Sequence, residues 1–464
     1  MEQIIFTTKF SKVGNQPQIR LDSKYRYFKD EKKNKTSLLK NISNRKSVSL
    51  SSILQLASTQ IIKKGDLDKE MILVDLDDID PGFGALKQER TVTEIGSDKT
   101  IFADSDIVCS KLTPDKGHFF INDKTKRYIG TTELIGYKLK NQKWDKKFLL
   151  YLLLHRNFRG DLELLTSGKT HPRIQIPDFL TMEIPDIEYF KQLEIVDKIE
   201  KIEAKISQLK QKIESTQDII DDVFIKYEVK TKKFTESQEE HFFINSKLIG
   251  SNLFLRLGAQ YYAFFEVHQG LLFNENSKYN AIPLNKILKK YKAKVLKKGR
   301  IDKLYILLDL EQLETKTGRI IDESNIVEEI GSDKVLFGDS DIVISKLRPY
   351  LAYAIINDKS KNYIGTTELV PFKLINKNIS IHYIKYCLLS NEYIKKSELL
   401  MYGKEHPRID IKDLLGIKIP IPSLEIQQKI VSEIQQREEI SNQYKEEIKK
   451  LREKIDNLIY KSIM

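Results

Sequence analysis

The sequence predicts an α+β fold built from two tandem copies of one module, each followed by a long helix. Three observations predict this: an internal repeat, short β-rich runs bounded by turn residues in each copy, and a heptad pattern of apolar residues after each copy. With 464 residues the chain is also too long for one compact core. We therefore expect two to four domains.

The internal repeat is the strongest of these signals. The heptapeptide YIGTTEL occurs at 128–134 and again at 363–369. Around it, residues 94–139 align without a gap with residues 329–374, and 30 of the 46 positions are identical. The same register continues into GKTHPRI and GKEHPRI, which start at Gly168 and Gly403. The chain therefore contains a duplication.

Within each copy the pattern first favours strands and then a helix. The runs MILVDL (71–76), DIVCSKL (106–112) and YILLDL (305–310) are rich in β-branched residues and are bounded by Gly, Asp, Asn or Pro. A helical stretch follows, FLLYLLLHRN at 148–157 in the first copy and IHYIKYCLLSNEYI at 381–394 in the second. This mixture of element types indicates an α+β fold.

A heptad seam follows the first copy. From Ile195 to Tyr227, ten positions are spaced alternately by four and three, and nine of them are apolar, which is typical of a coiled coil. A single helix over 190–227 would be about 57 Å long at about 1.5 Å per residue. The polar segment 228–240 is interpreted as the connection between the copies.

The second seam is less regular. It runs from Ile430 to Leu458, but Arg437 and Ser441 interrupt it. Polar seam residues either fix the register and the partner of a coiled coil or mark a looser helix. We expect the two long helices to pack antiparallel.

Charge and composition indicate the class of partner. Lys and Arg number 78 against 66 Asp and Glu, a net charge of +12, so a polyanion is the first partner to consider. A lysine-rich surface without a binding role is the alternative. No apolar run approaches the roughly 20 residues that span a bilayer. The first ten residues, MEQIIFTTKF, lack the basic region followed by an apolar stretch that is typical of a secretory leader. We therefore expect a cytoplasmic protein that does not bind membranes. Cys109 and Cys387 lack metal-ligand spacing, and we expect no metal or cofactor.

Motifs of catalysis are missing from the sequence. It contains no GxxxxGK[ST] phosphate loop, no HExxH and no GxSxG. A repeated set of carboxylates and lysines is the remaining candidate for a metal-dependent nuclease. This set is Asp106, Lys111 and Glu133, repeated as Asp341, Lys346 and Glu368. His171 and His406 could act as general bases, although a His-Pro pair that ends a turn is more typical of a structural role. We expect no catalytic residue.

The repeated turns supply candidates for binding a nucleic acid. Basic side chains can contact phosphates, and Thr hydroxyls can contact phosphates or base edges. The candidates are Lys111, Thr131, Thr132, Lys169 and Arg173 in the first copy, and Lys346, Thr366, Thr367, Lys404 and Arg408 in the second. Alternatively, Gly-Thr-Thr starts a strand and Glu133 or Glu368 satisfies a buried turn, and for the glutamates we favour this structural role.

Discrimination between sequences is expected where the two copies differ. TPDKGHFF at 113–120 stands opposite RPYLAYAI at 348–355, so Arg348 and Tyr350 are added to the candidates. The weakly matched segments 47–93 and 280–327 are further places for such readout, or are simply surface loops that have diverged.

Taken together, these motifs resemble the specificity subunit of type I restriction-modification systems. The resemblance depends on DIVISKLRPYLAYAIIND, YIGTTELVPFKL, GKEHPRI and IKIPIPSLEIQQKIVSEI in the second copy, in that order. The first copy has the same order and ends in QLEIVDKIEKIEAKI, but Thr113 and Asp115 replace Arg348 and Tyr350. This departure puts the half-site preference of the first copy in doubt.

The resemblance implies two target-recognition domains, each reading half of a split double-stranded DNA sequence. It also implies paired helices that set the gap and dock methyltransferase subunits, and a restriction subunit that joins through that assembly. The domains are then 1–187 and 229–422, the latter with its linker, followed by helices at 188–228 and 423–464. A self-contained metal-dependent endonuclease and a coiled-coil scaffold without DNA binding are the alternatives.

Overall fold

The structure of the protein is a computed structural model that describes residues 23–39, 46–230, 277–376 and 378–463. The chain folds into two compact units. Of the described residues, the first comprises 23–39, 46–210 and 446–463, and the second comprises 211–230, 277–376 and 378–445. The connection predicted at 228–240 lies outside the described residues from position 231 onward. Across the described ranges, no helix combines the length and apolar character needed to cross a membrane.

The first unit contains eleven short strands among its described residues. They are β1 Ser47–Ser49, β2 Leu54–Leu56, β3 Gln60–Ile62, β4 Gly65–Val74, β5 Arg90–Ile95, β6 Lys99–Ile101, β7 Ile107–Ser110, β8 Phe119–Ile121, β9 Tyr128–Gly130, β10 Leu134–Leu139 and β11 Glu183–Pro185. One sheet has the order β2-β10-β7-β8 and another the order β3-β6-β9-β4-β5. β4 and β9 pair in parallel, whereas the other neighbours in these sheets are antiparallel.

The second unit repeats this topology. Its described strands are β12 Ala281–Pro283, β13 Leu288–Lys290, β14 Val295–Leu296, β15 Gly299–Leu308, β16 Leu313–Glu314, β17 Arg319–Ile320, β18 Ile326–Ile330, β19 Lys334–Leu336, β20 Ile342–Ser345, β21 Ala354–Ile356, β22 Tyr363–Thr366, β23 Leu369–Leu374 and β24 Lys418–Pro420. The orders β13-β23-β20-β21 and β14-β19-β22-β15-β18 match those of the first unit, and β15 and β22 are again parallel. The sequence duplication is therefore a duplication of one arrangement of sheets.

Helices cover these sheets and follow them in the chain. They are α1 Ser23–Arg26, α2 Leu50–Ile53, α3 Lys146–Leu154, α4 Arg156–Leu165, α5 Ile176–Leu180, α6 Tyr189–Lys212, α7 Thr216–Lys226, α8 Ile381–Leu389, α9 Asn391–Leu400, α10 Ile411–Gly416 and α11 Leu424–Ile463. The predicted mixture of helices and sheets is thus confirmed.

The two apolar helical stretches are each broken in a way that the sequence analysis did not predict. The stretch at 148–157 splits at His155, and the stretch at 381–394 splits at Ser390. Both residues have extended backbone and cap the following helix. His155 Nδ1 accepts from the Asn157 N–H at 3.1 Å, and Ser390 Oγ accepts from the Tyr393 N–H at 3.3 Å. Each cap starts a second helix and so ends the first.

The single helix predicted over 190–227 is also wrong. α6 ends at Lys212 and α7 begins at Thr216, because the Ser215 hydroxyl accepts from the Asp218 N–H at 3.0 Å and caps a new helix. The second long helix, α11, is continuous over 40 residues, about 60 Å at about 1.5 Å per residue.

Each unit has its own hydrophobic core. In the first, seven consecutive residues of α3 from Phe148 to Leu154 are buried together with Ile459 and Ile463 of α11. In the second, Ile220 and Phe224 of α7 are buried with Ile430 and other residues of α11. The last turns of α11 are therefore part of the first core.

Candidate nucleic-acid interface

Three separate segments of the first copy meet at the end of β7. The Lys111 N–H donates to the Glu133 carbonyl at 2.9 Å, and the Ile174 N–H donates to the Lys111 carbonyl at 3.0 Å. The Thr113 N–H donates to the Pro172 carbonyl at 2.8 Å. These bonds join 111–113, 131–133 and 167–173, which we call the first turn cluster.

The second copy builds the same arrangement. The Lys346 N–H donates to the Glu368 carbonyl at 3.0 Å, and the Ile409 N–H to the Lys346 carbonyl at 2.9 Å. The Arg348 N–H donates to the Pro407 carbonyl at 2.7 Å. Residues 346–348, 366–368 and 402–408 form the second turn cluster. The clusters bring together residues that lie far apart in sequence.

Most positions of the repeated heptapeptide are buried or closely packed, which explains why these residues are the same in both copies. Tyr363, Ile364 and Leu369 are buried, and their counterparts in the first copy are buried as well. A Cβ on Gly365 would lie 2.6 Å from the Leu308 carbonyl oxygen, and one on Gly130 would lie 2.7 Å from a backbone oxygen. These positions therefore serve the shared scaffold.

The middle of the heptapeptide forms a turn and does not start a strand. In the first copy, β9 ends at Gly130 and β10 begins at Leu134, so the Thr-Thr-Glu segment connects two strands. Thr131 and Thr366 are partly buried, whereas Thr132 and Thr367 are exposed. Only the second threonine of each pair is therefore exposed to solvent.

The glutamate of each turn holds an arginine from 40 residues further along the chain. Arg173 Nε and Nη2 donate to the Glu133 carboxylate at 3.1 and 2.9 Å, and Lys111 Nζ lies 3.9 Å from it. The arginine hydrogen bonds hold the pKa of Glu133 below its usual value, so the carboxylate is charged at neutral pH.

The second copy has the same ion pair. Arg408 donates to the Glu368 carboxylate at 2.9 Å through Nη2, and Lys346 Nζ lies 3.8 Å from it. Both glutamates thus have the structural role favoured from the sequence. Four of the predicted phosphate contacts, Lys111, Arg173, Lys346 and Arg408, already have an anionic partner.

Three other cations have no such partner. Lys169 and Lys404 are exposed, Arg348 is partly buried, and none of the three forms an ion pair with another described residue. Because their charge is not neutralised by a described neighbour, these side chains are the strongest candidates for phosphate contact. Contact with DNA at these residues stays a prediction.

The residue after the lysine-leucine pair has an unusual backbone in both copies. Thr113 has φ 42° and Arg348 has φ 48°, and each is followed by a short 3-10 turn, Pro114–Lys116 or Pro349–Leu351. A left-handed conformation costs a residue other than Gly about 1–2 kcal/mol. The hydrogen bond to the Pro172 or Pro407 carbonyl holds this conformation. Strain of this kind is frequent at functional sites.

The two 3-10 turns are supported differently. In the first copy, Arg159 Nη1 donates to the Asp115 carbonyl at 3.0 Å, and its Nε donates to the Leu154 carbonyl at 2.9 Å. In the second copy, Tyr350 packs against the hydrophobic core and is therefore only partly available to a ligand. Arg159 is a residue of the site that was not predicted from the sequence. The signal in the sequence is the change of residue type between the copies, because the residue equivalent to Arg159 in the second copy is Ile394.

The carboxylates of the nuclease alternative are occupied by structural contacts. Asp106 Oδ2 accepts from the Leu139 N–H at 2.9 Å, and its Oδ1 lies 2.7 Å from Lys124 Nζ. Asp341 likewise accepts from the Leu374 N–H at 2.8 Å. In the part of the chain that the structure describes, no group of three or more His, Cys, Asp or Glu side chains is placed to hold a metal ion.

The fold and the site define a duplicated α+β module with a strained, basic turn cluster at equivalent places in each copy. Residues 272–450 match the family described as the type I restriction modification DNA specificity domain. The resemblance predicted from the motifs is therefore confirmed.

Two curated relatives carry the same description. The type I restriction enzyme MjaVIII specificity subunit of Methanocaldococcus jannaschii is 29% identical over 133 residues, 27% of this chain and 31% of the relative. The EcoDI specificity subunit of Escherichia coli is 26% identical over 147 residues, 32% of each protein. The matched region spans about a third of either relative. The solved S subunit of a type I restriction-modification system from M. genitalium is 18% identical, with a TM-score of 0.42 over 91% of this chain and 97% of that one.

Proposed function

We propose that this protein is the noncatalytic subunit that gives a type I restriction-modification complex its DNA sequence specificity. Each copy of the module reads one half of a split target, and methylation and cleavage are carried out by methyltransferase and restriction subunits that dock on it. The observation that carries the proposal is the repeated turn cluster, which places cations without a described anionic partner at equivalent points of two matching scaffolds.

Two domains that bind half-sites on one duplex must be held at a fixed separation and rotation. The reason is that a groove of the duplex faces the same direction again only after about 10 to 10.5 base pairs. The helices are the elements suited to this task. At about 60 Å, α11 is as long as roughly 18 base pairs at about 3.4 Å each. That length accommodates two half-sites and a spacer.

Contacts within each unit support antiparallel packing of the helices. In the second unit, Lys226 near the end of α7 pairs with Glu433 at 2.7 Å, whereas Thr216 at its start bonds Glu438 at 3.1 Å. Residue numbers thus rise along α7 as they fall along α11. In the first unit, Lys205 of α6 pairs with Glu447 of α11 at 2.6 Å.

The test is single-molecule methylome sequencing of cells that express this chain with the methyltransferase encoded beside its gene. We expect a split methylated motif that disappears when the chain is omitted. A genome whose methylation does not depend on the chain contradicts the proposal. The scaffold alternative further predicts no affinity of the purified chain for duplex DNA and no steep salt dependence.

Assigning each half-site to a copy requires point substitutions. Removing the second copy by truncation would also remove Ile459 and Ile463, which are buried in the first core. Arg348→Thr in the second copy, compared with Thr113→Arg in the first, changes the side chain at the strained turn position and leaves both cores intact. Binding of duplexes in which one half-site is scrambled then shows which copy reads which half.

A further inference from the structure

The break between α6 and α7 is surrounded by polar side chains in the second unit. They are Glu214, Thr216 and Asp222 on one side, and Arg437, Glu438 and Ser441 of α11 on the other, and we call them the Arg437 cluster. Two of its members, Arg437 and Ser441, are the residues that interrupt the apolar seam of the second helix.

Each interrupting residue has a specific partner. Arg437 donates through Nε to Glu214 at 3.1 Å and through Nη2 to Asp222 at 3.3 Å. The Ser441 hydroxyl is buried, with 3% of the residue exposed, and accepts from the Glu214 N–H at 3.3 Å. This bond satisfies a backbone donor that the break leaves without a partner inside a helix.

The first residue of α7, Thr216, also forms a hydrogen bond within the cluster. The Thr216 hydroxyl donates to Glu438 at 3.1 Å, and Tyr386 of α8 donates to the same carboxylate at 2.9 Å. Glu438 therefore connects α7, α8 and α11 at one point. Moving α11 along its axis would break all of these bonds together.

Apolar and polar seam residues respond differently to such a movement. An isoleucine displaced by one helical turn, about 5.4 Å, meets another apolar side chain of the seam. Arg437 and Ser441 would instead lose their hydrogen-bond partners in a partly buried environment, which is unfavourable. A single buried polar position is a known means of fixing the register of a coiled coil.

We propose that the Arg437 cluster selects one register of α7 against α11 and thereby one spacer length between the two half-sites of the DNA target. This inference rests on the function proposed above. Arg437, Glu214 and Ser441 are positioning residues that determine the spacing of the target without contacting DNA.

The test replaces both interrupting residues, as Arg437→Leu with Ser441→Leu, which completes the apolar seam. We expect the methylome to keep both half-sites but to show them at more than one spacer length. A displacement of one turn, about 5.4 Å, corresponds to a change of one or two base pairs at about 3.4 Å each. The same single spacer length in this variant overturns the proposal.

A second measurement reads the register in the full chain without the methyltransferase. Lys226→Cys with Glu433→Cys, treated with a short bifunctional thiol reagent that spans the length of the replaced side chains, reports the register of the structure, since these side chains form an ion pair at 2.7 Å. Lys226→Cys paired with Lys429→Cys or Gln436→Cys reports displacement by one turn in either direction. We expect only the first pair to cross-link in the parent chain, and a displaced pair to cross-link as well when Arg437 and Ser441 are leucine.

Controls separate this inference from its alternatives. Lys205→Gln removes the exposed ion pair to Glu447 and should leave the spacer length and the cross-links unchanged. If the double variant does not fold, Glu214→Gln with Ser441→Ala tests the same bonds with smaller changes. Absence of any split motif in cells with the parent chain refutes the proposed function. The cross-linking result still decides whether the cluster fixes the register.

Discussion

At the scale of single residues, the turn clusters separate cations that are paired from cations that are not. Arg173 and Arg408 are held by Glu133 and Glu368, so their charge is largely neutralised and their geometry is fixed. Lys169 and Lys404 share the same turns without a described anionic neighbour. The first pair organises the turns, and the charge of the second pair is not neutralised by a described neighbour.

This division predicts the salt dependence of DNA binding. Lys169→Ala and Lys404→Ala should each weaken binding to all sequences alike and reduce the slope of log K against log salt by about 0.9, because one phosphate contact is lost. Fluorescence anisotropy at several salt concentrations measures the slope. Lys201→Ala removes a helical lysine paired with Asp197 at 2.6 Å and serves as the control. An unchanged slope in both turn variants would remove these lysines from the interface.

The repeated glycines predict a contrast in stability. Gly365→Ala places a Cβ 2.6 Å from the Leu308 carbonyl oxygen and 2.8 Å from the Phe337 ring, so it should destabilise the second unit by about 1–3 kcal/mol. Gly331 has open space around its Cβ position, so Gly331→Ala should be close to neutral. Urea unfolding followed by circular dichroism compares the two. Equal midpoints would show that Gly365 is not constrained by packing.

At the scale of elements, the sequence predicts the strands and the repeat, but the heptad pattern alone does not predict where the helices end. The heptad pattern continues across the break after Lys212, because Ile213, Thr216 and Ile220 keep the alternating spacing of three and four. The cap was nonetheless visible, since Ser215 followed by Asp218 fits the pattern of a helix start.

Other features depend on tertiary contacts. The Glu133–Arg173 pair joins residues 40 positions apart, and no local pattern encodes that pairing. The break at His155 is hidden by the apolar run before it, because apolar composition alone does not distinguish one buried helix from two. Whether such a run forms one helix or two depends on the position and burial of the capping side chain.

The cap at His155 predicts a dependence of stability on pH. Burial lowers the pKa of His155 in the folded state, and its Nδ1 accepts a hydrogen bond there, so the unfolded chain binds a proton more readily. Its contribution to stability is therefore complete above about pH 6.5, the ordinary value, and is lost as the pH falls through the lowered folded-state pKa.

Replacing this residue should reduce that loss. His155→Ser keeps a capping side chain, as Ser390 does in the second copy. We expect the melting temperature of the variant to fall less between pH 7 and 5 than that of the parent chain. His118→Gln is a second variant for comparison: burial also lowers the pKa of this partly buried histidine, so its replacement should reduce the fall as well. Parallel pH profiles for the parent chain and His155→Ser would contradict the assignment.

At the scale of the whole molecule, the proposed function implies that duplication lets one scaffold serve two different half-sites. The sheet orders and the turn clusters repeat, while the residue at the strained position changes from Thr113 to Arg348. The fixed parts give both copies the same backbone at the site. The variable side chain can then change the preference of one copy without disturbing the other.

An exchange of these two residues tests that division. An arginine at this point can contact a phosphate or bind guanine with two hydrogen bonds, whereas threonine supplies a shorter hydroxyl. Arg348→Thr should weaken binding of the half-site read by the second copy, by about 1–3 kcal/mol if the arginine contacts a base. Thr113→Arg should alter only the other half-site.

Arg173 and Arg408 form the same ion pair in both copies, so this part of the turn cluster is the same in all of these variants. Methylome sequencing of the single variants and of the exchange measures both half-sites at once. Changes that appear in the same half-site for both substitutions would show that the copies do not read the target independently.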